Sequence, residues 1–177
     1  MGGLDSAFTG QSNYMAVITR YKSAVGAGTL AALVLVLIFG SPWYVDWARD
    51  NADPRTAGGW FLRLLAWPAW AFSPEASIQD VVASALRALF LLLLTAAFLY
   101  MLPGTQLARA RGTLSQFFAG WGSYVFAAAF AALLTTLVRS NPSLLGAFEA
   151  AGSGATYGFF TGWIIGLAAL GGWRGTR

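Results

Sequence analysis

Four long apolar segments constrain this chain more than any other feature of its sequence. They cover residues 24–45, 81–102, 113–138 and 155–173. A helix rises about 1.5 Å per residue, so about 20 residues are needed to cross the hydrocarbon core of a bilayer. Each segment is close to that length. The sequence therefore predicts an all-α integral membrane protein, in which residues 1–177 form one membrane domain with four transmembrane helices.

The composition supports this fold class. Only 10% of the residues are charged, whereas a soluble domain carries about 25%, because most of the predicted surface meets lipid. The lipid bilayer is therefore the first expected partner. The chain contains no cysteine and no histidine, which excludes disulfides, thiol catalysis, His-based triads and zinc sites built from these residues. We expect no cofactor and no metal.

The basic residues between the segments predict an orientation. Six of them fall on one side of the predicted membrane: Arg20, Lys22, Arg109, Arg111, Arg174 and Arg177. The positive-inside rule then places both termini in the cytoplasm. Because the basic residues are dispersed, they do not indicate nucleic-acid binding. The composition, rich in Ala, Gly, Arg and Trp, is typical of a high-GC bacterium, so we expect the bacterial cytoplasmic membrane.

A tryptophan-rich stretch follows the first segment. Five of the eight tryptophans lie there: Trp43, Trp47, Trp60, Trp67 and Trp70. Tryptophan prefers the headgroup boundary, so these residues are predicted interfacial anchors. Residues 58–72 are predicted to form a short outer interfacial helix, interrupted near Pro68. The alternative is a re-entrant segment that dips into the protein.

Proline and glycine predict where several helices begin and end. Pro42 cannot donate a backbone hydrogen bond, so the first helix should end or kink there. Ser73-Pro74-Glu75 is typical of a helix start, which predicts a second helix over residues 74–102. A second short outer helix is predicted over residues 142–151, ended by Gly152-Ser153-Gly154.

Two sets of residues inside the segments are candidates for function. Gly158, Gly162 and Gly166 recur every four residues and predict a helix face that another backbone can approach closely. Gly120 and Ser123 give the third segment a small-residue face that can receive it. The contact is either within the bundle or with a partner.

The second set lies on the second segment, where Asp80, Ser84 and Arg87 follow helical spacing with Leu91 and Thr95. Arg87 is the one charge well inside a segment, and such residues often mark functional sites. One interpretation makes Arg87 a ligand or counter-ion site within the bundle. The favoured interpretation is an arginine that extends to the outer surface or pairs with an outer acid.

These features favour a non-enzymatic membrane protein, an accessory or structural subunit that associates through small-residue helix faces. Self-association or a membrane-protein partner is expected. The alternative is a small transporter or pore that acts as an oligomer. An enzyme acting on lipid is a third class, but no catalytic arrangement of residues supports it.

Overall fold

The computed structural model of the chain describes residues 23–70, 77–101, 113–138 and 143–174. All regular structure in these ranges is α-helical, as predicted. The helices are α1 Ser23–Phe39, α2 Pro42–Asn51, α3 Ala57–Leu65, α4 Ile78–Met101, α5 Thr113–Leu137 and α6 Leu144–Arg174. Of these, α4, α5 and α6 are each long and apolar enough to cross a membrane. The predicted third segment, 113–138, agrees with α5 to within one residue.

The four long helices run alternately up and down in one bundle. At one end, Ser23 Oγ donates to the Gly172 carbonyl at 2.7 Å, so α1 begins where α6 ends. A Cβ built on Gly28 would lie 2.6 Å from Leu99 and 3.5 Å from Ile165, so α1 passes close to both α4 and α6. Alanine is the commonest residue of the bundle core, and the larger core side chains include Leu35, Leu91, Ile165, Tyr124 and Tyr157.

The outward faces of the bundle are apolar. Large exposed side chains occur on each long helix: Leu30, Leu37, Leu89, Leu93, Phe118, Phe126, Phe159 and Leu167. In water, apolar surface of this extent would be unfavourable, whereas lipid covers it without cost. Together with the three spanning helices, this surface indicates residence in a membrane.

The first predicted span is bent. α1 ends at Phe39 and α2 begins at Pro42, with an angle of 61° between them. Ser41 caps α2, since its hydroxyl accepts from the Tyr44 N–H at 3.3 Å. The predicted end or kink at Pro42 is therefore confirmed, and the last residues of the first apolar segment, 24–45, belong to α2. The chain has four spans only if the bent pair counts as one.

The predicted break between the last two helices is wrong. α6 runs without interruption for 31 residues through Gly152-Ser153-Gly154. Gly154 packs against α5, where an added Cβ would lie 3.1 Å from the Ala132 Cβ and would collide with the Ala128 carbonyl. This tertiary contact outweighs the low helix propensity of glycine, a cost of about 1 kcal/mol. The predicted start at Asn141-Pro142 lies outside the described residues.

The start of α4 also differs from the prediction. The helix begins at Ile78 and not at Pro74, because Ser77 forms the cap. The Asp80 N–H donates to Ser77 Oγ at 3.2 Å, and Ser77 Oγ donates to the Asp80 carboxylate at 2.7 Å. Ser77 is therefore the N-cap of α4, and the Asp80 carboxylate holds the capping hydroxyl in place. Residues 73–75 lie outside the described ranges, as do Arg20, Lys22, Arg109, Arg111 and Arg177. The orientation therefore stays a prediction.

Candidate functional site

Residues 41–69 form a small unit over one end of α1, which we call the cap. Its two helices are joined by the Tyr44 hydroxyl, which donates to the Leu62 carbonyl at 3.0 Å. Arg63 donates to the carbonyls of Ala52 and Arg49, both at 2.9 Å. The last carbonyls of α2 lack intrahelical donors, so Arg63 satisfies them. Tyr44, Ala48 and Leu65 then form a separate apolar cluster inside the cap.

Both ends of the cap are held at one place, which we call the pivot. The Trp70 N–H donates to the Gly40 carbonyl at 2.9 Å, and Trp70 Nε1 donates to the Val36 carbonyl at 3.2 Å. A Cβ on Gly40 would lie 2.7 Å from the Pro68 carbonyl, so only glycine allows this approach. The chain therefore leaves and re-enters the bundle at the same point, and Trp70 satisfies the carbonyl end of α1.

Trp67 projects from the cap into a slot between Tyr157 of α6 and Arg87 of α4. Its ring stacks on Tyr157 with centroids 4.8 Å apart and an interplanar angle of 18°. The Arg87 guanidinium carbon lies 5.4 Å from the Trp67 ring centroid, a cation–π distance. Arg87 Nη1 also donates to the Trp67 carbonyl at 3.2 Å, and Trp67 Nε1 donates to Ser153 Oγ at 3.3 Å.

A buried pair of tyrosines lies behind the slot. The hydroxyl oxygens of Tyr124 and Tyr157 are 3.1 Å apart, and neither side chain is exposed. The pair is a side chain–side chain hydrogen bond between α5 and α6 deep in an apolar bundle. In such surroundings each hydroxyl depends on the other, because a buried unpaired hydroxyl costs about 1–3 kcal/mol.

Chemically, the slot around Trp67 combines three kinds of group. It offers an aromatic face, a permanent cation and hydroxyl groups that donate or accept. In the described part of the chain, no three acidic residues come together where a metal ion would bind. Asp46 pairs instead with Arg49 at 3.5 Å on the surface of α2.

The predicted polar set on α4 is divided in the structure. Only Arg87 joins the slot, half-buried and turned toward the cap. Ser84 is buried and donates to the Val81 carbonyl of its own helix at 2.9 Å. Asp80 is exposed in the first turn of α4, and its carboxylate accepts from the capping hydroxyl of Ser77 at 2.7 Å.

The five predicted anchors divide into two groups. Three of them, Trp43, Trp47 and Trp60, have exposed side chains on the cap, and the exposed fraction of Trp43 is 75%. The Trp60 ring also meets the Phe160 ring edge-on, with the ring centroids 5.0 Å apart. Trp67 and Trp70 are instead half-buried, and their ring N–H groups donate to Ser153 Oγ and to the Val36 carbonyl. Pro68, in the turn after α3, is buried. Whether residues 58–72 lie along the interface or form a re-entrant segment stays a prediction. The depth of the cap in a bilayer stays a prediction.

The structure places the predicted glycines against α5. An added Cβ would lie 2.7 Å from Val125 Cα at Gly158, 2.7 Å from Trp121 at Gly162, and 2.7 Å from the Phe117 carbonyl at Gly166. Gly120 faces Gly166 from the α5 side, where a Cβ added to Gly120 would lie 3.0 Å from the Gly166 Cα. Ser123 is buried and donates to the Ala119 carbonyl at 2.7 Å, so it bonds within its own helix.

Sequence reasoning missed two parts of this arrangement. Gly154 extends the glycine row by one more interval of four residues. This spacing was visible in the sequence, but Gly152-Ser153-Gly154 was interpreted as the end of a short helix. The tyrosine pair was not singled out, although a tyrosine in the middle of an apolar helix needs a hydrogen-bond partner.

No protein-family model matches the chain, and no curated protein or solved structure is significantly similar to it. Function is therefore inferred from the arrangement of its residues alone.

Proposed function

We propose that the chain is a non-enzymatic subunit of a membrane assembly, with an accessory or structural role. Its expected place is the bacterial cytoplasmic membrane, with both termini in the cytoplasm. Support comes from the interior of the bundle and from one feature of its outward surface.

The interior has the character of a packed scaffold. Buried hydroxyls on α4, α5 and α6 donate to carbonyls four residues earlier in their own helices: Thr95 to Leu91, Ser123 to Ala119, Thr135 to Ala131, and Thr161 to Tyr157. A carrier of polar solutes needs such groups to face a shared path. Here they are directed into their own helices, which favours a structural role over transport through the monomer.

The association surface must lie outside the row of Gly154, Gly158, Gly162 and Gly166, because α5 occupies that face. A different stripe on α5 points outward with an interval of four residues: Leu114, Phe118, Gly122, Phe126 and Phe130. Gly122 has no neighbouring atom within 4 Å of an added Cβ. It therefore leaves a notch between two exposed phenylalanines.

This notch is the observation that carries the proposal. Helices associate in lipid mainly through close packing, and small residues allow their backbones to approach. A side chain from a partner helix would fit between Phe118 and Phe126, which are 57% and 59% exposed. The partner is therefore expected to be another membrane helix.

The test is Gly122→Leu, with Gly26→Leu on α1 as a matched control, because Gly26 is also open. Both variants should unfold like the unmodified protein. Gly122→Leu should lose the proteins that co-purify in mild detergent, whereas Gly26→Leu should keep them. Co-purification that is equal in both variants would refute the placement.

Gly122→Leu also distinguishes the proposed subunit from the alternative function, a transporter or pore that acts as an oligomer. If native mass spectrometry shows that Gly122→Leu breaks an assembly of identical copies and no second protein is present, a pore formed between copies is favoured.

A further inference from the structure

The Phe118 side of the Gly122 notch is held in place by α6. The Phe118 ring stacks on the Trp121 ring, with centroids 5.8 Å apart and an interplanar angle of 16°. Trp121 is fixed in turn, because its Nε1 donates to the Phe159 carbonyl of α6 at 2.8 Å. The Phe118 ring is therefore supported from behind although its outer face is exposed.

The Phe126 side of the notch is held by α4. The Phe98 ring of α4 lies 6.2 Å from the Phe126 ring and 6.0 Å from the Phe130 ring, measured between centroids. Phe98 itself packs against the bundle core. A side chain that is already held loses little freedom when a partner binds. Both walls of the notch are therefore prepared for contact before a partner arrives.

The spacing of the walls sets the shape of the occupant. Phe118 and Phe126 lie one turn before and one turn after Gly122, so each is about 6 Å from it along the helix axis. No atom lies within 4 Å of a Cβ added to Gly122. The notch therefore admits one large side chain, while the two rings leave no room for large side chains in the adjacent turns of a partner.

We infer that the occupant is a transmembrane helix of a different protein, which places one large apolar side chain opposite Gly122 and small residues one turn before and one turn after it. The outward stripe from Leu114 to Phe130 is apolar at all five positions, so the contact needs no polar pair. Close packing then supplies the association. The inference rests on the proposed function, because it takes the Gly122 notch as the association surface.

A second copy of the chain does not fit this notch by two-fold pairing. Copies in one membrane share an orientation, so their α5 helices are parallel, and a symmetric contact places each residue of the stripe opposite itself. Gly122 would face Gly122 and leave a void, while Phe118 and Phe126 would meet their own copies and hold the backbones apart. The packing contacts that drive association in lipid would be lost.

The other long helices do not supply the required pattern either. In the part of the chain that the structure describes, exposed side chains near the middle of their outward stripes have a large neighbour one turn away: Leu30 has Val34, Leu93 has Leu89, and Trp163 has Leu167. An unsymmetric contact between two copies would therefore force a second large side chain against Phe118 or Phe126.

The probes are two synthetic transmembrane peptides of identical composition in phosphatidylcholine vesicles. In the first, one phenylalanine has an alanine four residues before it and four residues after it, with leucine elsewhere. In the second, the phenylalanine and one of these alanines exchange places. The chain has no cysteine, so Asp50→Cys, at an exposed position of the cap, carries a donor dye and the peptide carries the acceptor. Energy transfer to the first peptide should reach half its maximum at a peptide-to-lipid ratio about tenfold lower than for the second.

Three variants of the labelled chain test the notch itself. Gly122→Leu fills it and should bind the first peptide no better than the second. Phe126→Ala removes one wall and should reduce the preference between the peptides. Leu167→Ala, at an exposed apolar position of α6, is the matched control and should keep the preference. Unfolding in SDS shows that each variant is folded, and a preference that persists in folded Gly122→Leu would overturn the inference.

Other results overturn the inference and leave the proposed function standing. Equal binding of the two peptides, or binding of neither, would show that this pattern does not select the partner, even if Gly122→Leu loses the proteins that co-purify in detergent. Energy transfer between donor-labelled and acceptor-labelled copies of the chain, abolished in Gly122→Leu, would identify a second copy as the occupant. The proposed association surface fails separately, when Gly122→Leu and Gly26→Leu retain the same co-purifying proteins.

Discussion

Gly158→Ala adds the smallest side chain at a restricted point of the α5–α6 contact. The new Cβ would lie 2.7 Å from Val125 Cα and 3.0 Å from the Tyr124 carbonyl. Both are backbone atoms, so the two helices must separate for the methyl group to fit. At Gly162 the nearest atom is instead a side-chain atom, Trp121 Cδ1, and the nearest backbone atom is farther away, at 3.1 Å.

Gly122→Ala on the same hairpin provides the reference, because nothing lies within 4 Å of its added Cβ. Alanine favours a helix over glycine by about 1 kcal/mol, so this variant should be neutral or slightly more stable. Forced packing costs about 1–3 kcal/mol. Gly158→Ala gains the same propensity, which leaves it up to about 2 kcal/mol less stable than the unmodified protein.

The assay is reversible unfolding in mixed micelles with increasing SDS, followed by circular dichroism. Gly158→Ala should unfold at the lowest SDS fraction, Gly162→Ala at an intermediate one, and Gly122→Ala at or above that of the unmodified protein. Gly162→Leu should be clearly less stable than Gly162→Ala. If Gly158→Ala and Gly122→Ala unfold together, the close approach of the two helices does not contribute to stability and the reasoning fails.

Two further predictions concern polar groups that the bundle buries. Tyr124→Phe removes the hydrogen-bond partner that Tyr157 has on α5, so it should lower stability by about 1 kcal/mol. In the double variant with Tyr157→Phe, the loss should be smaller than the sum of the two single losses. Additive losses in the same unfolding assay would mean that the two hydroxyls act independently. Trp70→Phe keeps a ring but removes the donor to Val36, so it should cost about 1 kcal/mol. Trp43→Phe, at an exposed position, is the control, and equal melting temperatures for the two variants would contradict the role of Trp70.

The long helices were predictable because lipid leaves few alternatives. An apolar segment in a bilayer must satisfy its backbone groups internally, which dictates a helix. The bounds of α5 were therefore correct to within one residue. The break at Pro42 was predictable for a local reason, since proline lacks the N–H that would continue the helix.

What the sequence did not reveal depends on contacts between residues far apart in the chain. Gly154 looked like a linker because the Ala128 and Ala132 it packs against belong to another helix. Trp67 was predicted to be an interfacial anchor, but the sequence does not reveal that its ring, in the turn after α3, meets Tyr157. For the same reason Arg87 could not be assigned to the cap, because its acceptor lies 20 positions away.

The short first helix and the cap have one physical cause. α1 has 17 residues and is about 25 Å long, whereas the 31 residues of α6 extend about 46 Å. A helix that ends beside longer neighbours leaves carbonyls facing protein or lipid, and each unsatisfied one costs several kcal/mol in a bilayer. Trp70 and the returning chain supply the donors. The cap then fills the space above α1, and that position brings Trp67 against Tyr157. The turn of chain that closes α1 is therefore also the turn that places Trp67 between Tyr157 and Arg87.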